Sequence, residues 1–282
     1  MYLNNLTTSK FFIGGILTMS LLVVQVLHKG IIFASYKNTH RTKSLYSSHS
    51  QQNGVNILVW PNNKAIIASV GRTSLFNCSL EKYLDTFIQK NLKFDNFETL
   101  ANQLKIEIGK DGLFYDGANN PPLGLIIYLG GFEKRDNIKV PVLWIITNIH
   151  GYDAKLGHGY TDIRKEFLVK EELWTSEDFG NNKPSPQTIR NDLQKLAKNH
   201  SPIFFHQGFD LDIFTNLKDF LKGSLELLIK KTSNHKFPES IEEWEKHLRM
   251  KILIYESYLE TFYDMPNQYT GGEVDIKSLS WD

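Results

Sequence analysis

The sequence predicts an α+β fold in which antiparallel strands form the interior and helix pairs cover both outer faces. Three observations predict it. Short apolar runs separated by Gly, Pro and Asn turns recur along the chain, so the strands join mainly as hairpins. Helical periodicity is strongest in two paired blocks, near residues 79–108 and 210–263. The order is strands, helix pair, strands, helix pair, final strand, which places the helices outside a strand-rich core.

Bulk properties narrow the function classes. The chain has 282 residues, 41% of them apolar and 12% aromatic, enough to bury a large core in one domain or two. Lys and Arg number 32 against 31 Asp and Glu, with no long run of one sign, so nothing asks for nucleic acid as a partner. The one cysteine, Cys78, excludes an internal disulfide and a cysteine-rich zinc site. It fits a reducing, cytoplasmic setting. Following Asn77 at a helix start, it reads as a packing or surface residue.

Element by element, residues 20–27 and 31–34 flank His28-Lys29-Gly30 and read as strand, tight turn, strand. Residues 11–27 are also nearly all apolar behind Lys10, so a signal peptide or membrane anchor is the competing reading. Against it, the run is at the lower limit for spanning a bilayer, about 17 residues. It also holds Gly14-Gly15, lacks a small-x-small cleavage site, and would take its own partner strand out of the sheet. Residues 38–54 are a polar loop. Residues 55–60 and 64–70 flank Pro61-Asn62-Asn63, a hairpin closed by Gly71.

Two helices are expected next. In the first, residues 79–89, Leu80, Tyr83, Leu84, Phe87 and Ile88 recur at three and four; the second, 96–108, carries Phe97, Leu100, Leu104 and Ile106. Strands follow at 123–132 and 140–149. Residues 155–200 read as a Lys/Glu-rich insertion, with Ser185-Pro186 starting a helix that runs to Asn199. A short strand at 202–205 leads to Gln207-Gly208. Long helices are expected at 210–231 and 240–263, the second opened by a capping box of Ser240 and Glu243. The last strand is 272–281. There is no internal repeat.

Several of these pieces, in this order, resemble the proteasome β-subunit family and its bacterial relatives. Ser20-Leu21-Leu22-Val23-Val24-Gln25-Val26 is similar to that family's first strand, and Gly30-Ile31-Ile32-Phe33-Ala34-Ser35 to its second. Residues 62–71 resemble the hairpin that ends in a glycine before the first helix. Thr270-Gly271-Gly272-Glu273-Val274-Asp275-Ile276 resembles the glycine-pair signature entering the last strand. The resemblance implies a four-layer αββα N-terminal-nucleophile (Ntn) hydrolase sandwich over residues 20–282, with an insertion around 155–200. Residues 1–19 are then an extension: propeptide-like, a start site placed too early, or an anchor. If Met19 is the initiator, its removal ahead of small Ser20 exposes a serine amino terminus; a peptide from residues 1–18 in N-terminal mass spectrometry would end that reading.

The chemistry of such a family is demanding. An amino-terminal hydroxyl or thiol attacks, and its own α-amine, or a water the amine holds, takes the proton. The resemblance puts Ser20 there, with Thr18 two residues too early. It puts the family's lysine, whose charge tunes the nucleophile, at Asn56. The acid that pairs with the lysine falls on Tyr36. The Asp-x-x-Ser pattern reads Asn267-Gln268-Tyr269-Thr270, so the acid becomes Asn267 and only the hydroxyl of Thr270 remains. A further serine falls on Gln207, beside Gly208. Lysine and both acids are thus lost together, as expected where one unpaired buried charge is costly. Lys43 and Lys64 are the substitutes to weigh, and neither has the right place on a strand.

Other chemistries find less support. His150, Asp153, His158 and Asp162 sit in a Gly-rich stretch without H-E-x-x-H or a similar ligand pattern, which favours a solvated loop over a metal site. The Gly-Gly pairs lack phosphate-loop context, and there is no G-x-S-x-G elbow. Asp210, Asp212 and Asp219 suit the start and outer face of a helix. The expectation is a cytoplasmic proteasome-like protein, degenerate in catalysis, acting through assembly or binding without metal or cofactor. Self-association into a ring or dimer is what the resemblance implies. The alternatives are an active Ntn hydrolase cleaving a peptide or other amide through Ser20 with Thr270 assisting, and a form anchored in the membrane through residues 11–27.

Overall fold

The computed structural model describes residues 21–37, 56–72, 74–110, 124–153, 159–174, 184–198, 203–207, 238–262 and 273–280. In chain order the strands are β1 (Leu21–Val26), β2 (Gly30–Lys37), β3 (Asn56–Val59), β4 (Ala65–Gly71), β5 (Ser74–Leu75), β6 (Cys78–Ser79), β7 (Leu125–Arg135), β8 (Ile138–Asp153), β9 (Gly159–Glu171), β10 (Ile203–Gln207) and β11 (Glu273–Ser280). The helices are α1 (Leu80–Lys90), α2 (Phe97–Ile108), α3 (Pro186–Lys198) and α4 (Ile241–Phe262). The fold is mixed α/β, and its sheets are antiparallel. The first sheet runs β10-β1-β2-β11 and the second β3-β4-β7-β8-β9; β5 and β6 form a separate two-residue hairpin.

Local chemistry accounts for most boundaries. The β1–β2 turn closes with the Leu27 N–H donating to the Gly30 carbonyl at 2.8 Å. Asp136 and Asn137 both take positive φ between β7 and β8, the left-handed pair a two-residue hairpin requires. Ser79 Oγ accepts from the Lys82 N–H at the start of α1, Asn96 Oδ1 from Thr99 at the start of α2, and Ser185 Oγ from Thr188 at the start of α3. At α4, Glu243 Oε2 accepts from the Ser240 N–H while Ser240 Oγ accepts from the Glu243 N–H, a complete capping box.

Adjacent residues on one strand show what lies on each side of it. A Cβ added at Gly130 of β7 would press on the Phe33 ring of the first sheet, at 2.8 Å; one added at Gly131 would meet the Phe97 ring of α2. The second sheet is therefore held between the first sheet and α2. On β2 the alternation repeats: Gly30 lies against Ile241 of α4, whereas Ile31 lies against Gly130. Two apolar clusters follow. Leu22, Val24, Val26, Ile31 and Phe33 join the second sheet, α1 and α2 in the larger one. Val23, Leu27, Ile32, Ala34 and Val274 join Ile241, Trp244, Leu248 and Ile252 of α4 in the smaller.

Three expectations change. Residues 159–171, expected inside a Lys/Glu-rich insertion with a helix only, form β9, the fifth strand of the second sheet, and α3 behind them adds Ile189 and Leu193 to the main core. The strand lacks an apolar run because it is an edge. Arg164, Glu166 and Lys170 are exposed, and the register jumps from Thr147↔Leu168 to Ile149↔Ile163, a bulge that with the charges discourages pairing to another chain. Cys78 belongs to β6, and Ser79, not Cys78, caps α1. Leu21–Val26 is strand paired on both sides, so no anchor helix runs through residue 27. Among the described residues no helix is long and apolar enough to cross a membrane.

Candidate functional site

The candidate site is the end of the first sheet where β1 begins. Ser20 precedes Leu21 directly and lies outside the described residues, as do Thr270, Asn267, Thr18 and Lys43. The neighbours of β1 are fixed by register. Leu21 is opposite Tyr36, and Tyr36 is opposite Val274, so the strand start, the end of β2 and the beginning of the last strand converge. One step on, Gln207, Leu22, Ser35 and Asp275 form a single row across β10, β1, β2 and β11. The structure thus brings Tyr36 and Gln207 beside β1, with the start of β11 on the far side of β2.

Asn56 is placed elsewhere. It pairs with Ser69 of β4, two steps in face from Ile67 and four from Ala65, whose partner Gly131 looks onto α2. Strand alternation therefore sets Asn56 on the α2 face of the second sheet. The neighbouring Ile57, opposite Ala68, has the face that looks toward β1 and is buried. Lys64 stands at the far end of the same hairpin, its Nζ 5.8 Å from the Phe94 ring centroid. It does not reach the start of β1.

Charged residues that sequence reasoning missed lie on β11. Asp275 and Lys277 share the strand face of Leu279, which belongs to the inter-sheet core, and Lys277 Nζ is 3.6 Å from Asp275 Oδ1. The signal was present in the alternation Val274-Asp275-Ile276-Lys277, with Val274 and Ile276 turned to α4. Beside Asp275, the fully buried Ser35 hydroxyl has no hydrogen-bond partner among the described residues. On the inter-sheet face near the start of β1 the described side chains include the Ser35 hydroxyl and the Asp275 carboxylate paired with Lys277. That set can hydrogen-bond an amide or an amine.

The histidine-rich stretch resolves differently from a metal site. His150 Nε2 lies 2.7 Å from the Glu166 carbonyl, bridging the β9 bulge. Asp153 and Asp162 are on β8 and β9, while His158, Asp210, Asp212 and Asp219 lie outside the described residues. Among the described residues no group of three or more His, Cys, Asp or Glu side chains could hold a metal ion.

No family model matches the chain, and no curated protein is similar to it. Among solved structures, Anbu (ancestral beta-subunit) from Yersinia bercovieri is 11% identical with a TM-score of 0.39, covering 92% of this chain and 81% of its own. A Gly-1 mutant of Anbu from Hyphomicrobium sp. strain MC1 is 12% identical with a TM-score of 0.41, covering 93% of this chain and 89% of its own. At these values neither likeness carries a functional argument.

Proposed function

We propose that the chain is a proteasome-like protein of the Ntn-hydrolase αββα type, residues 20–282 forming one domain, which acts through self-assembly rather than peptide cleavage. The stacking of α4 on the first sheet, that sheet on the second, and the second on α1 and α2 supports the fold reading. One observation carries the function. α4 has two apolar stripes: Trp244, Leu248 and Ile252 are buried against the first sheet, while Met250 and Leu253 (both 45% exposed) and Ile254 (37%) face away from it. A second apolar stripe on a helix already seated on its own domain suits a helix face of another copy. Placing carboxylates there is the test. Leu253→Glu is expected to convert an oligomer into a 32.5 kDa monomer in light scattering, with the circular dichroism spectrum kept. A wild-type chain that is already monomeric at tens of micromolar would sink the reading.

The weak catalytic case follows from the same residues. The resemblance places no cation at Asn56 and no acid at Tyr36, and the charged residues described at that end of the sheet, Asp275 with Lys277 and the cross-strand pair Glu273 and Lys37, lie on β11 and at the end of β2 rather than on β1. The single cysteine suits a reducing, cytoplasmic setting.

A second reading, an active Ntn hydrolase, is favoured by one fact: Ser20 directly precedes the strand on which Tyr36 and the start of β11 converge. It requires Ser20 to be the mature amino terminus. A β-lactone that labels Ser20, with labelling lost in Ser20→Ala, would establish it; an amino terminus upstream of Ser20 in intact mass would eliminate it.

A further inference from the structure

Between α4 and the first sheet the apolar cluster encloses two polar side chains, Gln25 and Trp244, without a hydrogen-bond partner among the described residues. Gln25 alternates along β1 with Val23 and Leu27, so it shares the face that α4 covers, and its cross-strand partner is Ile32 of the same cluster. It is 1% exposed, and neither atom of its carboxamide has a hydrogen-bond partner among the described residues. Trp244 on α4 is 4% exposed, and its indole N–H likewise has no acceptor there. The His247 ring stands edge-on to Trp244, centroids 5.4 Å apart at 71°.

These groups fall at one level of the layer. Ile241 lies over Gly30, and Arg249 Nη1 donates to the Val274 carbonyl at 3.0 Å, opposite Tyr36. α4 therefore runs alongside β2 in the same direction. Trp244 is about 4.5 Å beyond Ile241 at ~1.5 Å per helical residue, and Ile32 is about 6.6 Å beyond Gly30 at ~3.3 Å per strand residue. Trp244 thus comes down near the row that reads Gln25, Ile32, Ser278. A carboxamide with a free donor and acceptor, and an indole with a free donor, are costly to enclose in an apolar layer unless a polar molecule bridges them.

We propose that the layer between α4 and the first sheet holds an enclosed binding site for a small neutral polar molecule, water being the occupant of that chemistry, bridging the Gln25 carboxamide to the Trp244 indole. A water there receives the indole N–H and completes its bonds to the carboxamide, as buried waters do with two to four polar partners. The site is on the opposite face of β1 from the inter-sheet core and does not rest on the proposed assembly.

Heteronuclear NMR on the full chain tests it. The Trp244 indole resonance, assigned by its absence in Trp244→Phe, is expected to show cross-relaxation with long-lived water, and Gln25→Leu is expected to abolish that peak. Should Gln25→Leu fail to fold, the wild-type Gln25 amide protons must show the same water contact. No water contact at the wild-type indole, a peak unchanged in folded Gln25→Leu, or a Gln25 carboxamide bonded to protein or to a larger ligand would each overturn the proposal.

Discussion

Gly130 and Gly131 record how closely the layers approach. A methyl at Gly131 would meet the Phe97 ring and, at 2.6 Å, the Lys64 carbonyl, which is backbone and cannot swing away. At Gly130 the nearest atoms are those of the Phe33 ring and the Ile31 side chain. Gly131→Ala is therefore expected to lower unfolding free energy by about 1–3 kcal/mol, and Gly130→Ala by less, in urea titrations. Equal effects would contradict the tighter seat of α2. Acid behaviour is also local. The exposed Glu242 carboxyl accepts first from its own backbone N–H and then from the Ser240 hydroxyl, which together hold it below its ordinary value of 4.5. A depressed folded-state value gives stability that is present above the unfolded pKa and lost as pH falls through the folded one. Glu242→Gln should flatten that part of the acid slope, and an NMR titration of Glu242 at or above its ordinary value would contradict the cause. Neither feature was legible in the sequence, since Gly130-Gly131 reads only as the end of an apolar run, and Glu242 only as a residue between Ser240 and Glu243 of the capping box.

Elements were the most legible level because caps and turns are short-range. Ser240 with Glu243, Ser185 ahead of Pro186 and the glycine-closed turns all sit where their chemistry puts them. β9 escaped because its charged, bulged edge gives neither an apolar run nor a clean alternation. The start of α2 also has a contributor from outside the helix. Glu133 Oε1 accepts the Phe97 N–H at 2.7 Å, while Arg135 joins Glu133 to Glu171 of β9. One carboxylate thus satisfies an open N–H of the helix and faces its positive end. Glu133→Ala is expected to cost about 1–2 kcal/mol, with faster amide exchange in the first turn of α2 before the rest of the helix. Uniform exchange would show that Glu133 is a surface charge only.

At the scale of the molecule, layers and register decide what can meet. Of the candidate positions, the sequence reading put Tyr36 after the second strand by resemblance, and the register sets it opposite Leu21 and Val274. The placement of Asn56 did not follow, because with a period of two a shift of one residue moves a side chain to the other face of the sheet. Asp275 and Lys277 alternate visibly with Val274 and Ile276 in the sequence, but that theirs is the inter-sheet face is settled only by the register and by Leu279. The exposed apolar stripe of Met250, Leu253 and Ile254 on α4 is the feature on which the proposed self-assembly rests. The direct measurement is mass in solution by light scattering, for wild type beside Leu253→Glu. Self-assembly through α4 gives a defined multiple of 32.5 kDa that falls to a single folded protomer in the variant. A wild-type monomer, or an oligomer that Leu253→Glu leaves intact, would contradict it.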